Sequence, residues 1–352
     1  MKTLVILLSL VLPGLAAAAA PVDALRADID AMYPDIEHLY TDLHQNPELS
    51  LLEEKTAAKL AERMKKLGYQ VTTKVGGTGV VAILKNGAGP TLLIRTDMDA
   101  LPVLEQTGLP YASKVTQKDA VTGDVVPVMH ACGHDVHMAT WIGTATILTK
   151  RRDLWSGTVM FIGQPAEERI RGAKAMLADG LYTRFGKPDI ALGLHDHDTT
   201  PAGSAGTLPG YIGAASDSVD LTFYGTGGHG AYPQDTVDPI VMASKFVVAV
   251  QTIVSREISP FDQAVITVGS FHGGTKHNII SDTVKLQLTV RSYKPEVREK
   301  LLAGIERIAK AEAVAARAPK EPEMKVVEST AALYNDPALT EKVMTALGTA
   351  LG

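Results

Sequence analysis

The chain has 352 residues, 45% of them hydrophobic, enough apolar mass for two domain-sized cores. Its 34 basic and 39 acidic residues leave a net charge of −5, and aromatic residues make up only 5%. With no basic run to follow phosphates and few rings on which bases could stack, nucleic acid is not an expected partner. The single cysteine, Cys132, rules out an internal disulfide framework.

Residues 1–20 read as an export signal: Lys2 supplies the positive start, residues 4–15 the apolar stretch, and alanines 16–20 the small-residue cleavage region. The apolar stretch is too short for a comfortable membrane span. The expectation is a mature protein that is secreted or periplasmic and has no membrane segment. Apolar spacing then predicts a helix over residues 22–43, with Pro34 inside it and Asn46-Pro47 ending it. A second helix is expected over 53–67, closed by Gly68. Strands follow at 69–73 and 80–85 around the turn Gly76-Gly77-Thr78-Gly79, and a short apolar strand at 91–95 is expected to be central. A helix over 139–148, a strand over 157–163, a helix over 173–179 and a strand over 190–193 complete an α/β pattern with helices on both sheet faces.

A second unit is expected to begin near Ile212. Its predicted order is strand 219–224, helix 238–255, strand 264–269, strand 284–293, helix 295–316 and strand 324–328. That order suggests a ferredoxin-like α+β domain. An amphipathic helix over 336–351 closes the chain and would return to the first unit if the second is an insertion. The expected division is a signal at 1–20, a first domain at 21–211, a second at 212–328 and a returning segment at 329–352.

Three clusters carry chemistry. Cys132 and His134 flank Gly133 in a short turn, where sulfur and imidazole can face one point as a transition metal requires. His130 and His137 lie about one helical turn to either side. Glu167-Glu168 follows an apolar strand, and adjacent carboxylates there repel unless solvent or a cation offsets the charge. With a metal present, one would bind it and the other would take a proton from water. His195 ends another apolar strand, and Asp97-Met98-Asp99 follows a third. In open α/β sheets, strand ends are where ligands bind. Each cluster by itself also reads as a solvated polar turn. In the second unit, Gly225-Thr226-Gly227-Gly228-His229-Gly230 lacks the strand-to-helix setting of a dinucleotide loop. Its glycines would let the backbone bring His229 close to another group. Asn278 and Arg291 are polar residues able to hold a substrate carboxylate.

These motifs together resemble the amidohydrolase branch of the aminoacylase-type metallopeptidases. That branch comprises hippurate hydrolase, N-acyl-amino-acid amidohydrolase and indole-acetyl-amino-acid hydrolase. The resemblance runs from His44-x-x-Pro47-Glu48-Leu49-Ser50 through Gly76-Gly77-Thr78-Gly79 and Asp97-Met98-Asp99-Ala100-Leu101-Pro102. It continues through His130-Ala131-Cys132-Gly133-His134-Asp135, Gly163-Gln164-Pro165-Ala166-Glu167-Glu168 and Gly193-Leu194-His195. In the second unit it includes Gly228-His229-Gly230-Ala231-x-Pro233, Gly273-Gly274-Thr275 and Asn278-Ile279-Ile280.

The resemblance implies a mixed-sheet, zinc-peptidase-like catalytic domain with an inserted ferredoxin-like lid that mediates homodimerisation. It implies two divalent ions (Zn, Mn, Co or Ni) held by Cys132, His134, Glu168 and His195. Glu167 is implied as general base, Asp99 as the group orienting a ligand, and His229 as the lid histidine that stabilises an oxyanion. Asn278 and Arg291 are implied as contacts to the substrate carboxylate. The implied substrate is an N-acyl or N-aroyl amino acid or a short peptide. The family also carries a further histidine ligand after the lid, whereas the last histidine here is His277. The expectation is therefore a chain truncated relative to its family. The alternative is an impaired relative that binds metal or acyl amino acid without turnover.

Overall fold

A computed structural model describes residues 22–351, so the expected export signal lies outside the described residues. The chain divides into two units, Met1–Thr200 and Pro201–Gly352.

The first unit holds α1 (Val22–Gln45), α2 (Glu54–Lys66), β1 (Gln70–Val75), β2 (Gly79–Asn86) and β3 (Thr91–Asp97). Then come β4 (Thr116–Lys118), β5 (Val125–Pro127), α3 (His134–Lys150), β6 (Gly157–Gln164), α4 (Gly172–Ala178), α5 (Leu181–Phe185) and β7 (Ile190–Gly193). Five strands form one mixed sheet in the order β1-β2-β6-β3-β7. β2 is antiparallel to both β1 and β6, whereas β6, β3 and β7 run parallel. Alternation along the strands sends side chains to opposite faces. Val80, Ala82, Leu84, Val159 and Phe161 meet Leu39, Leu60, Met64, Met138 and Ile142 on the face covered by α1, α2 and α3. Val81, Met160 and Ile162 meet Met176 and Leu181, from α4 and α5, on the other. Both predicted faces are therefore present, and β3 lies inside the sheet as its apolar run implied.

One difference matters for the site. The sequence pattern starts the third helix at Ala139, but α3 starts at His134. Gly133 adopts φ 72°, and a Cβ there would lie 2.2 Å from the Asp196 carboxylate. The glycine therefore lets the chain turn tightly into the helix, and it makes His134 the first helical residue. Pro34 is accommodated inside α1.

The second unit holds β8 (Gly210–Gly213), β9 (Ala215–Tyr224), β10 (Gly228–His229), α6 (Pro239–Ala249), β11 (Ala264–Gly273) and β12 (Ile279–Ile280). β13 (Thr283–Ser292), α7 (Pro295–Ala315), β14 (Glu323–Thr330), β15 (Leu333–Asn335) and α8 (Pro337–Leu351) follow. β11-β13-β9-β14 form a four-stranded antiparallel sheet, the strand order of a ferredoxin-like fold. Strict alternation in β9 and β13 buries Val219, Leu221, Phe223, Leu286, Leu288 and Val290 against Phe246 of α6 and Leu301 and Ile305 of α7. The single helix expected over 238–255 is divided: α6 ends at Ala249 and a wide π turn occupies Ile253–Glu257. The tail helix α8, expected to return to the first unit, groups with the second.

Phe161 is fully buried, with its ring edge-on to Tyr69 and Trp141. Phe161→Ala is expected to destabilise the first unit by about 3–5 kcal/mol, read from the urea midpoint of its unfolding transition.

Candidate metal centre

Because β3, β6 and β7 are parallel, their carboxyl ends share one edge. Asp97 lies opposite Gln164, and Arg95 opposite Gly193. The chain leaving β3 carries Asp99, that leaving β6 carries Glu167 and Glu168, and that leaving β7 carries His195. The turn into α3 adds Cys132 and His134 from the same side. Six residues from four stretches of chain thus converge where three strands end together and α3 begins.

Each histidine of this cluster is oriented by its other nitrogen. His134 Nδ1 lies 2.6 Å from the backbone carbonyl of Asp99, and His195 Nδ1 lies 2.6 Å from that of Asp196. A carbonyl only accepts, so each Nδ1 carries the proton and each Nε2 presents a lone pair. Metal-ligating histidines are held in this way. His195 Nε2 is 3.6 Å from Cys132 Sγ. His134 Nε2 is 3.9 Å from carboxylate oxygens of both Glu167 and Glu168. Ligand atoms of Cys132, His134 and His195 lie within 4.8 Å of one another, as do those of His134, Glu167 and Glu168.

The polar atoms are under-satisfied. His134 Nε2 and Glu168 Oε1 are buried and find no hydrogen-bond partner among the described residues. Burial, then the neighbouring Glu167 charge, pushes the Glu168 carboxyl above the ordinary carboxylate range. Burial, then the charge and hydrogen bond of Glu168, pushes the Cys132 thiol up to about 12. Burial produces most of each shift and the neighbouring anions add to it, and a bound dication would oppose both. Sulfur, imidazole and carboxylate donors with orphaned lone pairs fit a divalent transition metal.

The surrounding residues divide the remaining charge. Burial opposes ionisation of Asp97, but its bond to His137 and the Arg95 charge overcome it and hold the carboxyl well below its usual range. His137 is therefore engaged on both sides, at 2.8 Å from Asp97 and 2.9 Å from the Asp196 amide. Its ring nitrogens still lie within 4.8 Å of ligand atoms of Asp97 and His134, and of His195 and Asp196. His197 Nδ1 lies 3.0 Å from the Thr199 hydroxyl and 3.1 Å from that of Thr200, and His197 is not among the clustered ligand groups. His130 is buried with both ring nitrogens unpartnered among the described residues. Burial lowers its pKa to about 4, so it stays neutral, with its ring 6.5 Å from that of His134.

Asp99 acts differently from the simplest reading of its motif. Its carbonyl orients His134, while its carboxylate accepts from the Glu167 and Glu168 amides, each at 3.0 Å. The remaining predicted residues belong to the second unit. His229 Nδ1 accepts from the Ala231 amide, so Nε2 carries the proton and can donate. His229 and Asn278 are neighbours, because β10 pairs with β12 and the Gly230 amide donates to the Asn278 carbonyl. Arg291 does not join them. It lies near the far end of β13, roughly 26 Å along the strand from Thr283, and bonds Ser216 of β9. Asn278 and Arg291 therefore do not form one carboxylate subsite within this unit.

His44 was visible only as a motif letter, and its partners come from distant loops. Its Nδ1 lies 2.6 Å from Asp135 and its Nε2 3.1 Å from Glu105, with Tyr40 and Tyr111 against the ring. This imidazolium ties α1 to the first turn of α3, one residue after His134.

A sheet edge with such a donor set suits a divalent cation, and comparison with known proteins gives the family. The model of peptidase family M20/M25/M40 matches residues 93–352, and the chain belongs to that family. It is 40% identical over 260 residues to N-acetyl-L-cysteine deacetylase of Bacillus subtilis, covering 74% of this chain and 59% of the relative. It is 40% identical over 261 residues to hippurate hydrolase of Campylobacter jejuni, covering 73% of this chain and 64% of the relative. The chain thus spans about three-fifths of the length of these relatives. The crystal structure of Bacillus subtilis YxeP, described as a dinuclear metal-binding peptidase of the M20 family, superposes with a TM-score of 0.75. It is 30% identical and covers 91% of this chain and 80% of that one.

The pairing of His44 generates a pH dependence. Its hydrogen bond to Asp135 raises its pKa from 6.5 to about 9, Glu105 adding to the rise against the cost of burial. The folded value exceeds the unfolded one, so this stabilisation is complete below about pH 6.5 and is lost as pH climbs through 9. Urea unfolding at pH 6.5 and 9.5 is expected to show a loss on the order of 3 kcal/mol in the wild type. His44→Gln is expected to be less stable at pH 6.5 and to lack that decline.

Proposed function

We propose that this protein is a metal-dependent amidohydrolase cleaving the amide bond of N-acyl or N-aroyl amino acids or short peptides. The observation that carries the reading is the Glu167 carboxylate, 3.9 Å from His134 Nε2, beside a donor set in which His134 Nε2 and Glu168 Oε1 have no hydrogen-bond partner among the described residues. Cys132, His134, Glu168 and His195 would hold two divalent ions, drawn from Zn, Mn, Co or Ni. Bound there, such ions supply Lewis acidity and lower the pKa of water. The Glu167 carboxylate takes the proton of the attacking water and returns it to the departing amine. His229, through its Nε2 proton, is assigned to the developing oxyanion. Asn278 is assigned to the substrate carboxylate. Similarity to an N-acetyl-L-cysteine deacetylase and a hippurate hydrolase supports an N-acyl amino acid as substrate.

A cavity of about 190 Å³ opens beside Glu168, with Leu49, Leu101 and Pro102 as an apolar wall. It suits the apolar part of a small substrate. The reading includes a homodimer through the second unit, where α6 leaves Val241 and Val248 exposed. It also includes action outside the cytoplasm, which rests on residues 1–20 alone.

The test is release of free amino acid from a panel of N-acetyl and N-benzoyl amino acids, with Mn or Zn added. Glu167→Gln is expected to lower kcat by about 10²–10⁴-fold while calorimetry shows cation affinity close to wild type. Full turnover in that variant would remove Glu167 from the mechanism. Cation binding without turnover in the wild type would favour the binding-only alternative. Cys132→Ala is expected to weaken cation affinity by at least tenfold, read by competition with a fluorescent chelator.

A further inference from the structure

The turn Pro165-Ala166-Glu167-Glu168 carries both the proposed base and a proposed ligand, and its backbone is unusual. Ala166 adopts φ 45° and Ile170 φ 55°, a region that side-chain-bearing residues rarely enter. The turn closes on itself through Ile170 N to Glu167 O at 2.7 Å and Gly172 N to Ala166 O at 3.2 Å. A Cβ on Gly172 would lie 1.5 Å from the Pro165 carbonyl oxygen, so no other residue fits that return.

Three successive amides of this turn point inward. Those of Glu167 and Glu168 bind the two oxygens of Asp99, and that of Ala166 binds Glu53 Oε1 at 2.8 Å. Consecutive amides around a left-handed residue make an anion-binding concavity. Here the anions are two fully buried side chains of the same protein. Each is itself anchored. Glu53 Oε1 also accepts from Leu51 N at 2.9 Å, and its Oε2 accepts from the Thr78 hydroxyl at 2.6 Å. Asp99 accepts from the Ser50 hydroxyl at 2.5 Å. Residues near the start of α2 and in the turn between β1 and β2 thus converge beneath the turn that follows β6.

We propose that Glu53, with Thr78 behind it, is a positioning residue for the catalytic turn: it holds the left-handed Ala166 so that Glu167 and Glu168 face the metal centre. This rests on the reading of Glu167 as base and Glu168 as ligand. Glu53 touches neither substrate nor metal. Removing its carboxylate leaves the buried Ala166 amide without an acceptor, and the turn relaxes toward an ordinary conformation. Ligand-orienting groups of this kind change metal affinity by about 10–100-fold when removed.

The test compares the wild type with Glu53→Ala, Glu53→Gln and Thr78→Val. Amide hydrogen exchange is followed in the peptide covering 166–168, against core amides of β6 and the first turn of α2. Mn(II) affinity is measured by chelator competition. In Glu53→Ala the 166–168 amides are expected to exchange at least tenfold faster than the wild type, beyond any change in β6. Mn(II) affinity is expected to fall by about tenfold or more. Glu53→Gln keeps an oxygen acceptor and is expected to restore both to within about threefold. Should Glu53→Ala fail to fold, Thr78→Val decides: at least a threefold rise at 166–168 supports the proposal. Faster exchange confined to residue 51 and α2, or unchanged Mn(II) affinity in a folded Glu53→Ala, would overturn it and leave Glu53 a local structural group. The exchange measurement needs no turnover. A wild type that fails to release amino acids overturns the amidase reading, while the exchange pattern still supports or overturns the positioning role.

Discussion

Three parallel strands ending together deliver more negative charge to one edge than the protein neutralises, and the rest of the site follows from that imbalance. Asp97, Asp99 and Glu53 are essentially inaccessible to water. A buried ionised carboxylate is costly unless it is paired or hydrogen-bonded. Asp97 is paired with Arg95 and His137. Asp99 and Glu53 are satisfied by amide and hydroxyl donors. Glu168 Oε1 and His134 Nε2 lack even that. These two unsatisfied atoms lie 3.9 Å apart and face one another, an arrangement that suits a cation between them.

The same imbalance separates the tasks of neighbouring groups. Glu167 and Glu168 are adjacent in sequence, but Glu168 is the more enclosed of the two, and burial raises its carboxyl above the ordinary range. A raised carboxyl and a raised thiol describe a site that favours protonation when no cation is held. Their deprotonation is then coupled to metal binding, and affinity falls as pH is lowered. The scaffold beneath is rigid for an ordinary reason. Large apolar side chains from both sheet faces pack around β2, β3 and β6, so the strand ends have little freedom to spread.

Much of this was legible in the sequence. The short apolar run at 91–95 predicted a strand inside the sheet, and β9 and β13 were visible from two-residue periodicity. The set Cys132, His134, Glu168 and His195 was implied by the family resemblance, and Glu168 and His195 were readable as residues that follow strands. What stayed hidden depended on geometry that periodicity does not encode. The start of α3 at His134 depends on a left-handed Gly133 facing the Asp196 carboxylate. Arg291 and Asn278 looked like partners because both are polar and lie in the same unit, but strand register places them at different ends. The role of Glu53 was invisible because its partners, Thr78 and Ala166, are separated from it by long stretches of chain. Helix periodicity identified Glu53 only as the beginning of α2.

The residue at 166 shows how function and strain are linked here. Glycine would adopt φ 45° without steric cost, but it would also allow the turn many other conformations. Alanine narrows those choices and carries a strain on the order of 1–2 kcal/mol in the left-handed region. A hydrogen bond to a charged acceptor, worth about 1.5–3 kcal/mol, is large enough to offset it. Glu53 is the acceptor here: Leu51, Thr78 and Ala166 all donate to it, though its burial outweighs them and raises the carboxyl above its ordinary range. Strain and clamp therefore require each other. Without the clamp an alanine at 166 would leave the left-handed region, and with glycine in its place the clamp would hold a turn free to point Glu167 elsewhere.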